Sequence, residues 1–136
     1  MFSFSVAHVY DAWLDPDLAR QFLFATEKGE MVRADIDARV GGRFVMTDRR
    51  DGEDVEHIGH YLELGRPHRL VFTFSVPKYS TDSARVEITV AQTTQGTLLD
   101  LEQEVGAAWV EHKERISQGW QMILKNLDKV LAQNAS

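Results

Sequence analysis

The sequence predicts an α+β fold in which a strongly twisted antiparallel sheet curls around one long C-terminal helix. Three observations carry this. Residues 31 to 104 alternate apolar and polar side chains with a period near two, punctuated by turn signals. The last segment, EHKERISQGWQMILKNLDKVLAQ, switches to helical spacing, with Ile116, Trp120, Ile123, Leu127 and Val130 or Leu131 along one stripe. At roughly 1.5 Å per residue its ~20 residues would span ~30 Å, and nothing else in the chain is long enough to cover the apolar face of such a sheet.

In chain order, MFSFS alternates Phe2 and Phe4 and reads as a short first strand. SVAHVYDAWLDPDLARQFL then changes period. Val6, Val9, Tyr10 and Trp13 recur at three and four residues, and Pro16 after Asp15 opens a new helix, so two short helices meet at Leu14 to Pro16. Six strands follow, at 31–37, 42–49, 55–64, 68–76, 83–92 and 97–105, making seven with the first. They are separated by Gly41-Gly42, Asp51-Gly52, Gly65-Arg66-Pro67, the polar stretch from Lys78 to Asp82, and Gln95-Gly96. Alternation groups Leu70, Phe72 and Phe74, then Val86, Ile88 and Val90, then Leu99, Leu101 and Gln103 on the face toward the long helix. Glu87, Thr89, Asp100 and Glu102 fall on the wet face. In the hairpin from Gly41 to Leu64, Phe44 and Met46 compete with Val45, and Tyr61 with Ile58, Leu62 and Leu64, which leaves its facing open.

A chain of 136 residues with 43% hydrophobic content suits one domain spanning 1–136 with a real core. Fifteen basic against 21 acidic residues, net −6, argue against nucleic acid. With no cysteine there are no disulfides, thiol nucleophiles or thiolate metal sites. No apolar run is long enough to span a membrane, and MFSFSVAHVY lacks the basic start of a signal peptide, so a cytoplasmic protein is expected. Short exposed sheet edges make a homodimer reasonable.

Motifs with a defined chemistry are missing: there is no GxSxG, HExxH or P-loop, and RVGGRF places its glycines before a strand rather than a helix. His57 and His60 invite a metal reading beside Glu53 or Glu56, but residues three apart on a strand point to opposite faces, so no metal is expected. Arg43, Arg49 and Arg50 with Asp48, Asp51, Glu53 and Asp54 read as a solvated hairpin tip, and His112 beside Glu111 and Glu114 as a helix start. His57 is either an exposed strand histidine or a polar contact on the inner face. Gly59 in mid-strand and Gly119 in the final helix mark either close packing or open space.

AWLDP near the start, RVGGRF, GHYLEL, RPHRLVFTFS, GTLLDLEQE and a late GW before a leucine-rich helix end occur in an order that resembles the stand-alone bacterial relatives of the activator of the 90-kDa heat-shock-protein ATPase. These AHSA-like proteins lie within the START-like (SRPBCC) superfamily. The resemblance covers nearly the whole chain and implies a helix-grip: a curved seven-stranded antiparallel sheet around a long C-terminal helix, with two small helices after strand 1. It further implies an apolar cavity between sheet and helix that takes an apolar or amphipathic small molecule. No cofactor and no catalytic residue follow from it. A chaperone partner, or a small hydrolase, cyclase or resistance enzyme in the same cavity, are the alternatives. Candidate cavity residues are Trp13, Phe22, Phe24, Phe44, Met46, His57, Tyr61, Phe72, Phe74, Gln103, Trp109, Ile116 and Trp120, against the alternative that the aromatic ones are ordinary core. Two departures stand out: the first strand is short, and Gln103 stands where several members place a histidine, so it cannot titrate as a general base.

Overall fold

The computed structural model describes residues 2, 4–23, 30–77, 83–104, 111 and 113–134. Two short helices, α1 (Val6–Asp11) and α2 (Pro16–Phe22), precede six strands and a long helix: β1 (Glu30–Ile36), β2 (Arg43–Arg50), β3 (Glu53–Gly65), β4 (Arg69–Ser75), β5 (Ala84–Thr93), β6 (Gly96–Gln103) and α3 (Lys113–Asn134). The strands form one antiparallel meander in the order β1-β2-β3-β4-β5-β6.

The sheet has six strands, not seven. Among the described residues, the predicted first strand contributes a single bridge, in which Phe2 and Thr97 exchange both backbone hydrogen bonds at 2.8 Å. The cause is local: Ser5 already caps α1, its hydroxyl accepting from the His8 N–H at 3.2 Å. The break between α1 and α2 falls where the sequence put it, with Asp15 capping α2 and Pro16 at its first position. Asp11 then ties α1 to the β3–β4 turn through a two-pronged ion pair, Arg66 Nε and Nη2 donating to its two carboxylate oxygens at 2.8 Å each.

At the β2–β3 turn, Asp51 and Gly52 both take positive φ (51° and 81°), the two-residue geometry that matches strand twist. A bulge in β3 settles the facing of this hairpin. Pairing to β4 shifts between Tyr61 and Glu63, so Tyr61 and Leu64 both reach the inner face although they are three residues apart, and Leu62 is turned out to 47% exposure. Phe44, Met46, His57 and Tyr61 therefore all point inward.

The inner core joins these residues to Leu70, Phe72, Val86, Ile88 and Val90 of the sheet, to Val9, Tyr10, Trp13, Ala19 and Phe22 of the short helices, and to Trp120, Leu127, Val130 and Leu131 of α3. On the outer face Arg69 pairs with both Glu63 and Glu87, spanning the strands on either side of Val71. Val71 is only 1% exposed there.

Candidate functional site

Rows of paired residues run across the inner face beneath α3. One row is Tyr61, Phe72, Val86 and Gln103; the next is Phe44, Gly59, Phe74 and Ala84. Gly59 is required by packing. A Cβ there would collide with the Thr73 carbonyl oxygen and with the Phe44 ring, which lies against the bare backbone. Phe44 in turn meets Tyr61 and Phe72 with ring centroids 5.5 and 5.6 Å apart.

The α3 helix is anchored over these rows by Trp120. Its indole N–H donates to Gln103 Oε1 at 2.5 Å, and its ring meets Phe74 edge-on at 6.0 Å. Gln103 is thus the acceptor that fixes the angle of the helix, a use for an uncharged side chain at this position. The fully buried residues of α3 lie C-terminal to that anchor: Leu127, Val130 and Leu131. On its N-terminal side Ile116 is half-buried, its neighbours from Lys113 to Gly119 are exposed, and a Cβ on Gly119 would meet nothing. Phe74, Leu99 and Leu101 of the sheet and Ile123 of the helix are also half-buried. Among the described residues of α3, the most buried side chains thus lie toward its C-terminus, and the half-buried Ile116, Ile123 and Leu124 lie ahead of them.

An acidic and a basic side chain also belong to this inner face. Asp48 follows Met46 by two residues on β2 and is fully buried; His57 pairs with Met46 from β3 and is 6% exposed. The sequence placed Asp48 in a solvated hairpin tip, and the structure corrects this: alternation, not charge, decides which way a strand residue faces. A carboxylate and an imidazole thus stand on neighbouring strands inside the sheet, a juxtaposition the sequence reading did not find. The signal was available in the two-residue spacing from Phe44 through Met46 to Asp48.

Burial, together with the charge of Asp37 and the neighbouring Tyr10, holds the Tyr61 phenol above its ordinary range, so it stays a neutral donor. Tyr10 is shifted the same way by burial first and Asp11 second. Among the described residues, the buried Tyr10 hydroxyl and Trp13 indole N–H find no hydrogen-bond acceptor.

Of the residues singled out from sequence, Phe44, Met46, His57, Tyr61, Phe72, Phe74, Gln103, Ile116 and Trp120 come together under α3. Trp13 and Phe22 meet edge-on at 5.1 Å and are fully buried among the short helices. Phe24 and Trp109 lie outside the described residues. Among the described residues no three His, Asp or Glu side chains converge as a metal site. On the wet face an open depression lined by Glu87, Thr89, Asp100, Leu101 and Glu102 gathers three carboxylates and a hydroxyl.

Comparison with solved structures returns the same architecture. A crystal structure of a protein from Chromobacterium violaceum shares 29% identity with a TM-score of 0.84, over 95% of this chain and 90% of that one. One from Nitrosomonas europaea shares 21% identity with a TM-score of 0.82, over 97% and 90%. An AHSA1-like protein from Aeromonas hydrophila, solved in solution, shares 22% identity with a TM-score of 0.82, over 97% and 88%. Comparison with curated proteins finds no match. The model of one family, described as Activator of Hsp90 ATPase homolog 1-like protein, matches residues 3–132. The chain belongs to that family.

Proposed function

We propose that the protein binds an apolar or amphipathic small molecule between the inner face of the sheet and α3. The observation that carries this is the uncovered apolar surface around Trp120: Phe74, Leu99, Leu101, Ile116 and Ile123 remain half-buried although all lie on the core side. Apolar side chains left partly wet on a concave face favour a ligand that removes them from water, at about 25 cal/mol per Å² covered. The Trp120–Gln103 hydrogen bond holds the helix in place over that surface, so the site exists before the ligand arrives. Nile red, a neutral fluorophore that brightens in apolar surroundings, tests the reading. Saturable, equimolar brightening that is lost when Ile116→Trp fills the space supports it, and brightening that survives this change sinks it.

Family membership favours a second reading, contact with a chaperone ATPase. Its test is separate: capture of a heat-shock chaperone by the purified chain together with stimulation of that chaperone's ATPase. Failure of both removes this reading without touching the first.

A further inference from the structure

The two edges of the sheet are finished differently. At β6, Phe2 pairs with Thr97 through both backbone hydrogen bonds. At the other edge, among the described residues, β1 pairs with β2 alone. The Met31 carbonyl near its start accepts from Arg20 Nη2 at 3.1 Å. Beyond Met31 one bond gives the direction of the backbone. The Asp37 N–H donates to the Arg43 carbonyl of β2 at 3.0 Å, so Asp35 and Arg33, on the same alternation, also turn their backbone groups toward β2. Ala34 and Ile36 turn theirs to the open edge, where among the described residues no backbone group meets them. Val32 is the extra residue of a bulge, unpaired with β2 and 37% exposed.

An open edge is a template for another strand, and the side chains of β1 specify which one. We propose that β1 pairs antiparallel with β1 of a second copy of this chain, about a two-fold axis at Ala34. That axis sets Ala34 against Ala34, Val32 against Ile36, and Arg33 against Asp35. Ala34 and Ile36 carry the outward backbone groups, so the first two kinds of pair exchange the hydrogen bonds. The Arg33–Asp35 pairs fall at the non-hydrogen-bonded positions, where Cα atoms approach to about 4.5 Å and side chains are closest. Both charged side chains lie on the wet face, 54% and 62% exposed, while Met31, Ala34 and Ile36 pack against the core. Within one chain Arg33 Nε donates to Asp35 at 2.5 Å. The other guanidinium donors serve Asp35 of the second copy, and two chains close a ring of four alternating charges. Neighbouring axes fail. An axis at Arg33 or Asp35 opposes like charges and uses backbone groups committed to β2. One at Ile36 sets Asp35 against Asp37 and Arg33 against Arg39. One at Val32 meets the bulge and the Arg20 side chain that holds the Met31 carbonyl.

Sedimentation velocity of the full chain with a charge-swap set tests this. The unaltered chain should dimerise reversibly as its concentration rises, and less so with added salt, because the cross-chain pairs are exposed to solvent. Arg33→Asp opposes carboxylates at both pairs and Asp35→Arg opposes guanidiniums, so each alone should weaken self-association about tenfold or more. An equimolar mixture of the two variants restores opposite charges at both pairs and should associate as the unaltered chain does, a result that requires position 33 to face position 35. Amide exchange reads the same edge without any substitution: the Ala34 and Ile36 amides should slow as the unaltered chain is concentrated. A chain that stays monomeric to about 1 mM, or single variants that dimerise as the unaltered chain does, would overturn the β1 interface. Failure of the mixed variants to associate, with the unaltered chain dimeric, would overturn the axis at Ala34.

Discussion

The two halves of α3 perform different tasks with the same amphipathic pattern. From Leu127 onward the stripe is buried: Leu127, Val130 and Leu131 join Ala19 and Phe22 in the core. N-terminal to Trp120 the stripe thins to a half-buried Ile116 among exposed neighbours. Stability is concentrated in one half, and the other keeps apolar surface available.

The sharpest way to break this comparison is to truncate both halves alike. Leu127→Ala should destabilise by about 2–5 kcal/mol in urea unfolding, the range for emptying a fully buried leucine, whereas Ile116→Ala should cost less because that side chain is only partly buried. Equal losses would mean the two ends are packed alike. Next in size come the two glycines. Gly59→Ala forces a Cβ into the Thr73 carbonyl and the Phe44 ring, and should cost about 1–3 kcal/mol, with perturbed Phe44 ring signals in NMR spectra. Gly119→Ala meets no atom and replaces a poor helix former by the best, so it should stabilise by about 0.5–1 kcal/mol. A loss at Gly119 instead would show that the helix approaches a neighbour there.

The smallest effect concerns how α1 is held. The hydrogen bond from Arg66 is the main cause that holds the Asp11 carboxyl below its ordinary range. Its stabilisation is therefore fully present above the unfolded pKa of about 4 and is lost as pH falls through the lower folded value. Both side chains are about half exposed, so solvent screening keeps this contribution small. Midpoints of thermal unfolding followed from neutral pH into the acid range should show a shallower acid slope for Asp11→Asn than for the unaltered chain.

Much of this was legible from sequence, for identifiable reasons. The inner sets on β4, β5 and β6 followed from strict alternation, and the start of α2 from Asp15 and Pro16. The hairpin β2–β3 resisted because its β-bulge breaks the period: once a strand carries an extra residue, Tyr61 and Leu64 share a face that counting by twos would separate. Asp48 was misplaced because its charge suggested solvent, whereas its position two residues after Met46 sends it inward. Gln103 could be seen as a non-titrating substitute, but its partner Trp120 lies across the interior and seventeen residues along the chain.

The amino-acid sequence by itself determined the strand order, the amphipathic stripe of α3 and the family resemblance, because these depend on local periodicity and turn chemistry acting over a few residues. Only the tertiary structure decided that Phe2 contributes a bridge rather than a strand, that Asp48 and His57 are neighbours inside the sheet, and that α3 buries Leu127, Val130 and Leu131 more fully than Ile116 and Ile123. Each of those depends on which strand stands beside which, and at what register, a relation set by long-range pairing and by the single helix that the sheet closes around.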